Sequence, residues 1–276
     1  MPTRFAPSPT GHLHLGHVYA AKFARDLAVE NGTEFLLRFE DIDTTRVREV
    51  YYLEIEYDLK WLGLDWHGTP LRQTERLPAY AQTLEKLKSL GVVYPCFCTR
   101  REIQQEIAAM RGAPQEGHEE PLYPGTCRSL SADERAERIS TGEPHCWRLD
   151  SAAAAEQTGH VYFTDHIHGH TQVNAGLLGD VVLARKDIAT SYHIAVVVDD
   201  AMQGITDVTR GNDLLPSTHV HCILQNLLGL NSPRYHHHRL ILDEDQKRLA
   251  KRDRALSIRS LRKQGKSPEE VLAMIS

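Results

Sequence analysis

The sequence predicts an α/β protein organised around a parallel sheet. Two observations predict it. The first forty residues read as strand, loop, helix and strand, which is how a parallel sheet opens. Apolar runs then return at Val181–Leu183, Val196–Val198 and Ile205–Val208 and read as buried segments of the same sheet region. Composition agrees: 41% hydrophobic and 25% charged residues make an ordinary globular mix and exclude disorder as the main state. A chain of 276 residues has room for one large domain or two ordinary ones.

The elements follow in order. Thr3 to Ala6 reads as a short strand, and Pro7-Ser8-Pro9-Thr10-Gly11 as a turn-rich loop. From His17 to Glu30, Ala20, Ala21, Phe23, Ala24, Leu27 and Ala28 fit a helix that Asn31-Gly32 ends. Phe35, Leu37 and Phe39 alternate with Leu36, Arg38 and Glu40, the pattern of a strand. Leu77, Tyr80, Ala81, Leu84 and Leu87 mark a helix stopped by Gly91. Thr99–Glu102 and Ser131–Glu134 are capping-box starts, and Gly112 to Gly125 is expected to loop out. Leu214 to Leu228 reads as a helix with Gly229 beyond its end. Two short helices close the chain, the second opened by Ser267-Pro268-Glu269-Glu270.

The net charge of −5 argues against a general nucleic-acid coat but not against a local basic patch. No run reaches the ~18 apolar residues of a membrane span. The N-terminus lacks the apolar stretch of a signal peptide, so a cytoplasmic location and no membrane partner are expected. Five cysteines, an odd number, make a disulfide framework improbable in such a chain.

His14-Leu15-Gly16-His17 sits where the first loop turns into the first helix. A helix N-terminus presents unpaired N–H groups and a positive dipole end, which suit phosphate. Gly16 lets a flat base approach the backbone, and two imidazoles can donate to phosphate oxygens. The wider segment, Arg4-Phe-Ala-Pro-Ser8-Pro-Thr-Gly-His-Leu-His14-Leu-Gly-His17, resembles the first signature of the class I aminoacyl-tRNA synthetases, in their glutamyl/glutaminyl branch. Leu37-Arg38-Phe39-Glu40-Asp41-Ile42-Asp43 resembles the next motif, with Ile42 where the branch has Thr. Tyr192-His193, Val198-Asp199-Asp200, Gly204-Ile205-Thr206 and Arg210-Gly211 continue the match in order.

The resemblance implies a Rossmann-like class I catalytic domain with an inserted zinc-containing connective region and a short helical C-terminal part. Its expected divisions are 1–94 and 149–230 for the halves of the nucleotide-binding domain, 95–148 for the insertion and 231–276 for the ATP loop and terminal helices. It carries over Arg4, Phe5, Ala6, Pro7, Ser8, Glu40, Tyr192 and Arg210 as glutamate-binding positions. His14, Gly16, His17 and Lys251 become ATP-binding positions, with His14, His17 and Lys251 catalytic and Mg²⁺ on the ATP. The chemistry fits. Arginine recognises a side-chain carboxylate bidentately, an acid such as Glu40 takes the ammonium, and a cation is wasted on glutamine's neutral amide. Two departures stand out. The second ATP motif is loose, Arg248-Leu249-Ala250-Lys251-Arg252, and Val196 stands where the glutamyl enzymes typically have Asn.

Cys96-Phe97-Cys98 and the later Cys127 have the spacing of a structural zinc knuckle with one position open to His118 or Tyr123. General ligand preference favours His118. The resemblance to the short glutamyl-queuosine synthetases instead implies Cys96, Cys98, Tyr123 and Cys127 around one Zn²⁺. Cys146 and Cys222 read as core. His166, His168 and His170, and His236 to His238, read as solvated strand ends rather than metal sites.

Fewer residues follow Lys251 than the ~50 of a small domain, so no anticodon-reading module is expected. That matches the short synthetases, which attach activated glutamate to the queuosine base in the anticodon of tRNA(Asp). The expected partners are queuosine-containing tRNA(Asp), glutamate and ATP, with the protein a monomer. The run Lys247 to Lys263 is strongly basic and suits either RNA phosphate or a solvated helix face. Charging of a tRNA 3′ end and transfer of glutamate to a small molecule are the alternative activities.

Overall fold

A computed structural model describes residues 2–111, 122–241 and 257–275. Strand β1 (Thr3–Phe5), helix α1 (Leu15–Glu30) and strand β2 (Phe35–Phe39) form a parallel β-α-β unit, with Thr3 beside Phe35 and Phe5 beside Leu37. Val18, Ala21, Ala24 and Ala28 recur along one face of α1 and are buried, and the small alanines let the helix lie close to the sheet. The helix stops where Gly32 adopts φ 62°, a conformation that suits glycine. Helix α2 (Glu49–Trp61) leads to β3 (His67–Arg72), which extends the sheet in parallel beyond β2.

The expected alternation of buried and open faces along Phe35–Phe39 is not found. Arg38 is as inaccessible as Phe39, because an interior parallel strand is covered on both sides.

Helix α3 (Leu77–Ser89) is followed by β4 (Val93–Cys96), α4 (Arg100–Arg111), α5 (Ala132–Ser140), β5 (Cys146–Leu149) and α6 (Ser151–Thr158). Thr99 and Glu102, and Ser131 and Glu134, form the two reciprocal caps that the sequence announces. Next come β6 (Tyr162–Asp165), β7 (Gly169–Gln172) and β8 (Val182–Ala184). Strands β4, β5 and β8 make a separate antiparallel sheet, so Val181–Leu183 belongs there rather than to the parallel region.

Val196–Val198 is also not strand. It lies within α7 (Tyr192–Met202), where a helix buried on most sides reads as a continuous apolar run. Strand β9 (Asp207–Gly211), helix α8 (Leu215–Leu228) and β10 (Arg234–His238) form a second parallel unit, with α8 capped by Gly229 in the left-handed conformation. β6 pairs with the far side of β10 and turns back into β7. His166 and His168 therefore lie in a hairpin turn, and only His170 is in a strand. His236 to His238 are not a solvated end: His237 and His238 are buried.

The two parallel units meet at β1 and β9. Arg4 Nη1 donates to the Thr209 carbonyl at 3.0 Å, and Thr206 N donates to the Pro2 carbonyl at 3.3 Å. Helices α9 (Ile258–Lys263) and α10 (Pro268–Ala273) complete the described chain. Ile258 N donates to the Leu13 carbonyl at 2.9 Å, which fastens α9 to the loop before α1. Arg259 and Arg262, two members of the basic run, pair with Glu54 and Asp58 of α2 at 2.5 and 3.1 Å. That part of the run is therefore ion-paired rather than a bare helix face, with the Arg259 side chain still 40% exposed. No helix among the described residues is long and apolar enough to cross a membrane.

Candidate active site and metal centre

The loop after β1 is pinned to the end of β2: Glu40 N donates to the Pro7 carbonyl at 3.1 Å and Arg48 N to the Pro9 carbonyl at 3.2 Å. This brings the C-terminal ends of β1, β2, β9 and β10 to one cavity of about 270 Å³, the end of a parallel sheet at which ligands are usually bound. Arg4, Phe5, Ala6, Pro7, Ser8, His14, Gly16, His17, Glu40, Tyr192 and Arg210 all line it. Of the residues expected to hold amino acid and ATP, Lys251 alone is not placed, because it lies outside the described residues, as do the rest of its motif and His118.

His14 and His17 cap α1 reciprocally. Gly16 N donates to His14 Nδ1 at 3.1 Å, and His14 N donates to His17 Nδ1 at 3.2 Å. Each Nδ1 is thereby an acceptor, so the ring proton of each imidazole sits on Nε2. The rings stack with centroids 3.7 Å apart. They present N–H donors where the helix dipole is positive, which suits an anion. Gly16 has a second role besides access for a base: a Cβ there would meet the His14 ring at 3.1 Å.

The acidic and basic groups are sorted by partner. Arg4 donates from Nε and Nη2 to the two Asp200 oxygens at 2.8 and 3.2 Å. Arg38 donates from Nη1 to the same carboxylate at 2.7 Å and to Gln203 at 3.0 Å. Burial alone raises the Asp200 carboxyl, but the two guanidinium groups outweigh it and hold the group below its ordinary range. Arg4 thus reaches the cavity already paired. Glu40 lies 3.9 Å from Arg38 Nη2 with its side chain 19% exposed. Burial holds its carboxyl above the ordinary range against the pull of Arg38 and Arg4, so an incoming ammonium ion would supply the charge it lacks.

Arg210 is different. Its side chain donates from Nη2 to Thr218 Oγ1 (2.6 Å), from Nε to His237 (3.2 Å) and from Nη1 to Tyr192 Oη (3.3 Å) and His221 Nδ1 (3.0 Å). His221 passes its own proton toward His193 at 3.1 Å. Burial, then the charge of Arg210, brings His193 and His237 down to about 4 and His221 well below its ordinary value. These imidazoles are neutral near pH 7. Among the described residues no carboxylate pairs with Arg210, which leaves a buried cation facing the cavity without a counter-charge. A Cβ at Gly211 beside it would meet the side-chain ends of Asp213 at 2.5 Å and Leu240 at 2.7 Å, both of which would have to shift. The site as built offers a buried guanidinium at Arg210, a carboxyl group at Glu40 and N–H donors at the start of α1.

Several members escape sequence reading. Asp199 and Asp200 are two acids on an otherwise apolar helix, which signals buried partners. Asp199 accepts from Gln73 (3.0 Å), Arg76 (2.7 Å) and Tyr80 (2.7 Å) and fixes α3 against α7. Val196, which stands where the glutamyl enzymes typically have Asn, is buried in the core with Ile194 and Val197 and does not line the cavity.

The sulfurs of Cys96, Cys98 and Cys127 lie within 4.8 Å of one another, a spacing that a single metal ion can bridge. Tyr123 Oη is 3.4 Å from Cys96 Sγ and 3.6 Å from Cys98 Sγ, and accepts from Cys127 N at 2.9 Å. The phenol is therefore in place as the fourth donor. Cys146 is buried in a small core cluster, as expected. It faces Cys96 across the β4–β5 ladder, and its hydrogen bond leads those that bring the Cys96 thiol below its ordinary value.

Comparison with known proteins agrees with this architecture. The family model described as "tRNA synthetases class I (E and Q), catalytic domain" matches residues 1–276. The chain is similar to the Glutamyl-Q tRNA(Asp) synthetase of Rhodobacter capsulatus, 46% identical over 279 residues that cover 100% of this chain and 99% of that protein. It is also 45% identical to the protein of the same name from Nocardia farcinica, covering 99% of this chain and 83% of that protein. A crystal structure of a glutamate tRNA ligase from Elizabethkingia meningosepticum, in complex with its amino acid, superposes with a TM-score of 0.76 at 33% identity. The match covers 92% of this chain and 52% of that structure, so this chain spans about half its length. The chain belongs to the class I tRNA synthetases (E and Q), holds their catalytic domain, and is an ATP-dependent ligase.

Proposed function

We propose that the protein activates glutamate with ATP and transfers it to the queuosine base in the anticodon of tRNA(Asp). The observation that carries the first step is Arg210, a buried guanidinium with neutral neighbours, in one cavity with Glu40. A dicarboxylic amino acid meets both needs. Its side-chain carboxylate pairs with Arg210, assisted by Tyr192, and its ammonium with Glu40. Arg4 and the loop Phe5–Ser8 form the adjacent wall. The α-carboxylate then attacks the α-phosphorus of ATP, and pyrophosphate leaves. His14 and His17, through their Nε2 protons, and Lys251 stabilise the charge on the phosphates. Magnesium accompanies the nucleotide.

For the second step, an open cleft of about 1000 Å³ shares Ser8, Glu40 and Tyr192 with the amino-acid cavity and is flanked by Asp43, Arg46 and Arg185. It gives an acceptor access to the activated carbonyl. A hydroxyl of the queuosine cyclopentene-diol attacks that carbon, AMP leaves and an ester forms. The relatives named Glutamyl-Q tRNA(Asp) synthetase, matched over 99% and 83% of their lengths, support this acceptor. Labelled glutamate and ATP are to be supplied with tRNA from cells that make queuosine and from cells that do not. Label on the first pool alone is expected. Equal label on both would point to 3′-end charging, and label on neither, with adenylate still formed, to a small-molecule acceptor.

Zinc is the ion that three thiolates and a phenol suit, and Cys96, Cys98, Tyr123 and Cys127 would hold it. Its part would be structural: it ties the end of β4 to the segment at Thr126–Ser129. The Cys98→Ser protein is expected to lose bound zinc and melt at lower temperature, whereas Cys222→Ser keeps its zinc. Equal zinc in both by elemental analysis would remove the assignment.

A further inference from the structure

One buried polar cluster lies behind the cavity wall rather than in it. The side chains of Asp165, at the end of β6, and His237, within β10, are both shut off from solvent. Parallel pairing of Tyr235 with Asp165 brings them together. Asp165 Oδ1 accepts from the backbone N–H of Ile167 at 2.8 Å and of His168 at 2.9 Å. Oδ2 accepts from His237 N at 3.3 Å and lies 2.6 Å from His237 Nδ1. Burial opposes its charge, but these donors outweigh burial and keep the carboxyl below its ordinary range.

An ionised carboxylate only accepts, so the His237 proton must be on Nδ1. Nε2 then carries the lone pair, and it faces Arg210 Nε at 3.2 Å and Thr218 Oγ1 at 3.0 Å. Thr218 Oγ1 accepts from Arg210 Nη2 at 2.6 Å and so gives its own proton to His237. With the other tautomer, an imidazole N–H would confront the N–H groups of the guanidinium. The fork would then turn away.

We infer that Asp165, His237 and Thr218 are positioning residues that hold the Arg210 guanidinium in the orientation needed for the substrate's side-chain carboxylate, with Asp165 acting by fixing the tautomer of His237. The inference rests on the reading that Arg210 takes that carboxylate. None of the three touches substrate. Asp165→Asn keeps the side-chain shape but offers His237 a donor in place of an acceptor. Thr218→Val keeps the branched shape and removes the hydroxyl.

The test is glutamate-dependent ATP–pyrophosphate exchange by the full chain, comparing wild type, Asp165→Asn, Thr218→Val and Arg210→Lys. In the first two variants the KM for glutamate is expected to rise about tenfold or more. Their kcat and KM for ATP should stay within about twofold of wild type, the split that marks a lost binding interaction. A raised glutamate KM in Arg210→Lys with unchanged values in the other two would overturn the inference alone. An unchanged glutamate KM in Arg210→Lys would instead overturn the reading beneath it. A joint fall in kcat and rise in the KM for ATP would mark a merely structural role and also overturn the inference. Should Asp165→Asn fail to fold, Thr218→Val decides, since it leaves the Asp165–His237 pair in place.

Discussion

Replacing Arg210 by alanine is expected to nearly abolish glutamate activation while leaving ATP binding intact. The guanidinium is buried, its neighbours Thr218, Tyr192, His221 and His237 are neutral, and it faces Glu40 across the cavity. Without it, the substrate's side-chain carboxylate would be desolvated against neutral imidazoles and a hydroxyl. Truncating one partner of a buried charge pair costs about 2–5 kcal/mol, and at about 1.4 kcal/mol per tenfold that is about a 30- to 4,000-fold loss in kcat/KM for glutamate. Stability should change far less, because among the described residues the cation has no counter-charge to leave behind. The checks are pyrophosphate exchange at saturating ATP and nucleotide binding by calorimetry. A glutamate KM unaltered in the alanine variant would show that the amino acid is read elsewhere.

Asp200→Ala is expected to cost the most stability. Asp200 is the shared partner of Arg4 and Arg38, and all three side chains are at most 7% exposed. Removing it leaves two guanidinium groups buried without their acceptor, and breaking a buried pair in this way costs about 3–5 kcal/mol. The same network predicts the direction of acid sensitivity. The Asp200 carboxyl is held below its ordinary range in the folded protein. Its contribution is therefore present above the unfolded-state value and is lost as pH falls through the lower, folded value. Asp200→Ala should flatten that acid limb of the stability profile as well as lower the whole curve. Chemical denaturation at pH 7 and at pH 3–4 measures both, and an unaltered midpoint at pH 7 would contradict the role assigned to the network.

The helix stops at Asn31-Gly32 and Gly229 and the two capping boxes at Thr99 and Ser131 were legible because each depends on neighbours within four residues. Glycine at a left-handed position and a hydroxyl facing an N–H three residues on are local chemistry. The lining of the cavity was reached through the resemblance to the class I synthetases, which carried over Arg4–Ser8, His14, Gly16, His17 and Glu40, residues that do lie together at strand and helix ends.

Periodicity failed where burial is complete. Val196–Val198 reads as strand because three consecutive valines suit an interior strand, and the helix they actually form is covered on most sides, so no polar face reveals the 3.6-residue period. Arg38 read as the open face of a strand for the opposite reason: its charge is satisfied by Asp200 and Gln203, which lie more than 160 residues away in the chain.

The chain's own residues determined which chemistry is available: the paired imidazoles at the head of α1, an acid and two arginines for an amino acid, and three thiols with a phenol. Tertiary structure alone decided how those groups are used. Only when β1 is set against β9 does Arg4 find Asp200, whereas among the described residues Arg210 meets no carboxylate. Only when β6 pairs with β10 does Asp165 reach His237 and hold its proton on Nδ1, so that the Nε2 lone pair faces Arg210. Electrostatic partnership depends on distance in space and on the exclusion of water, and neither is a property of sequence order.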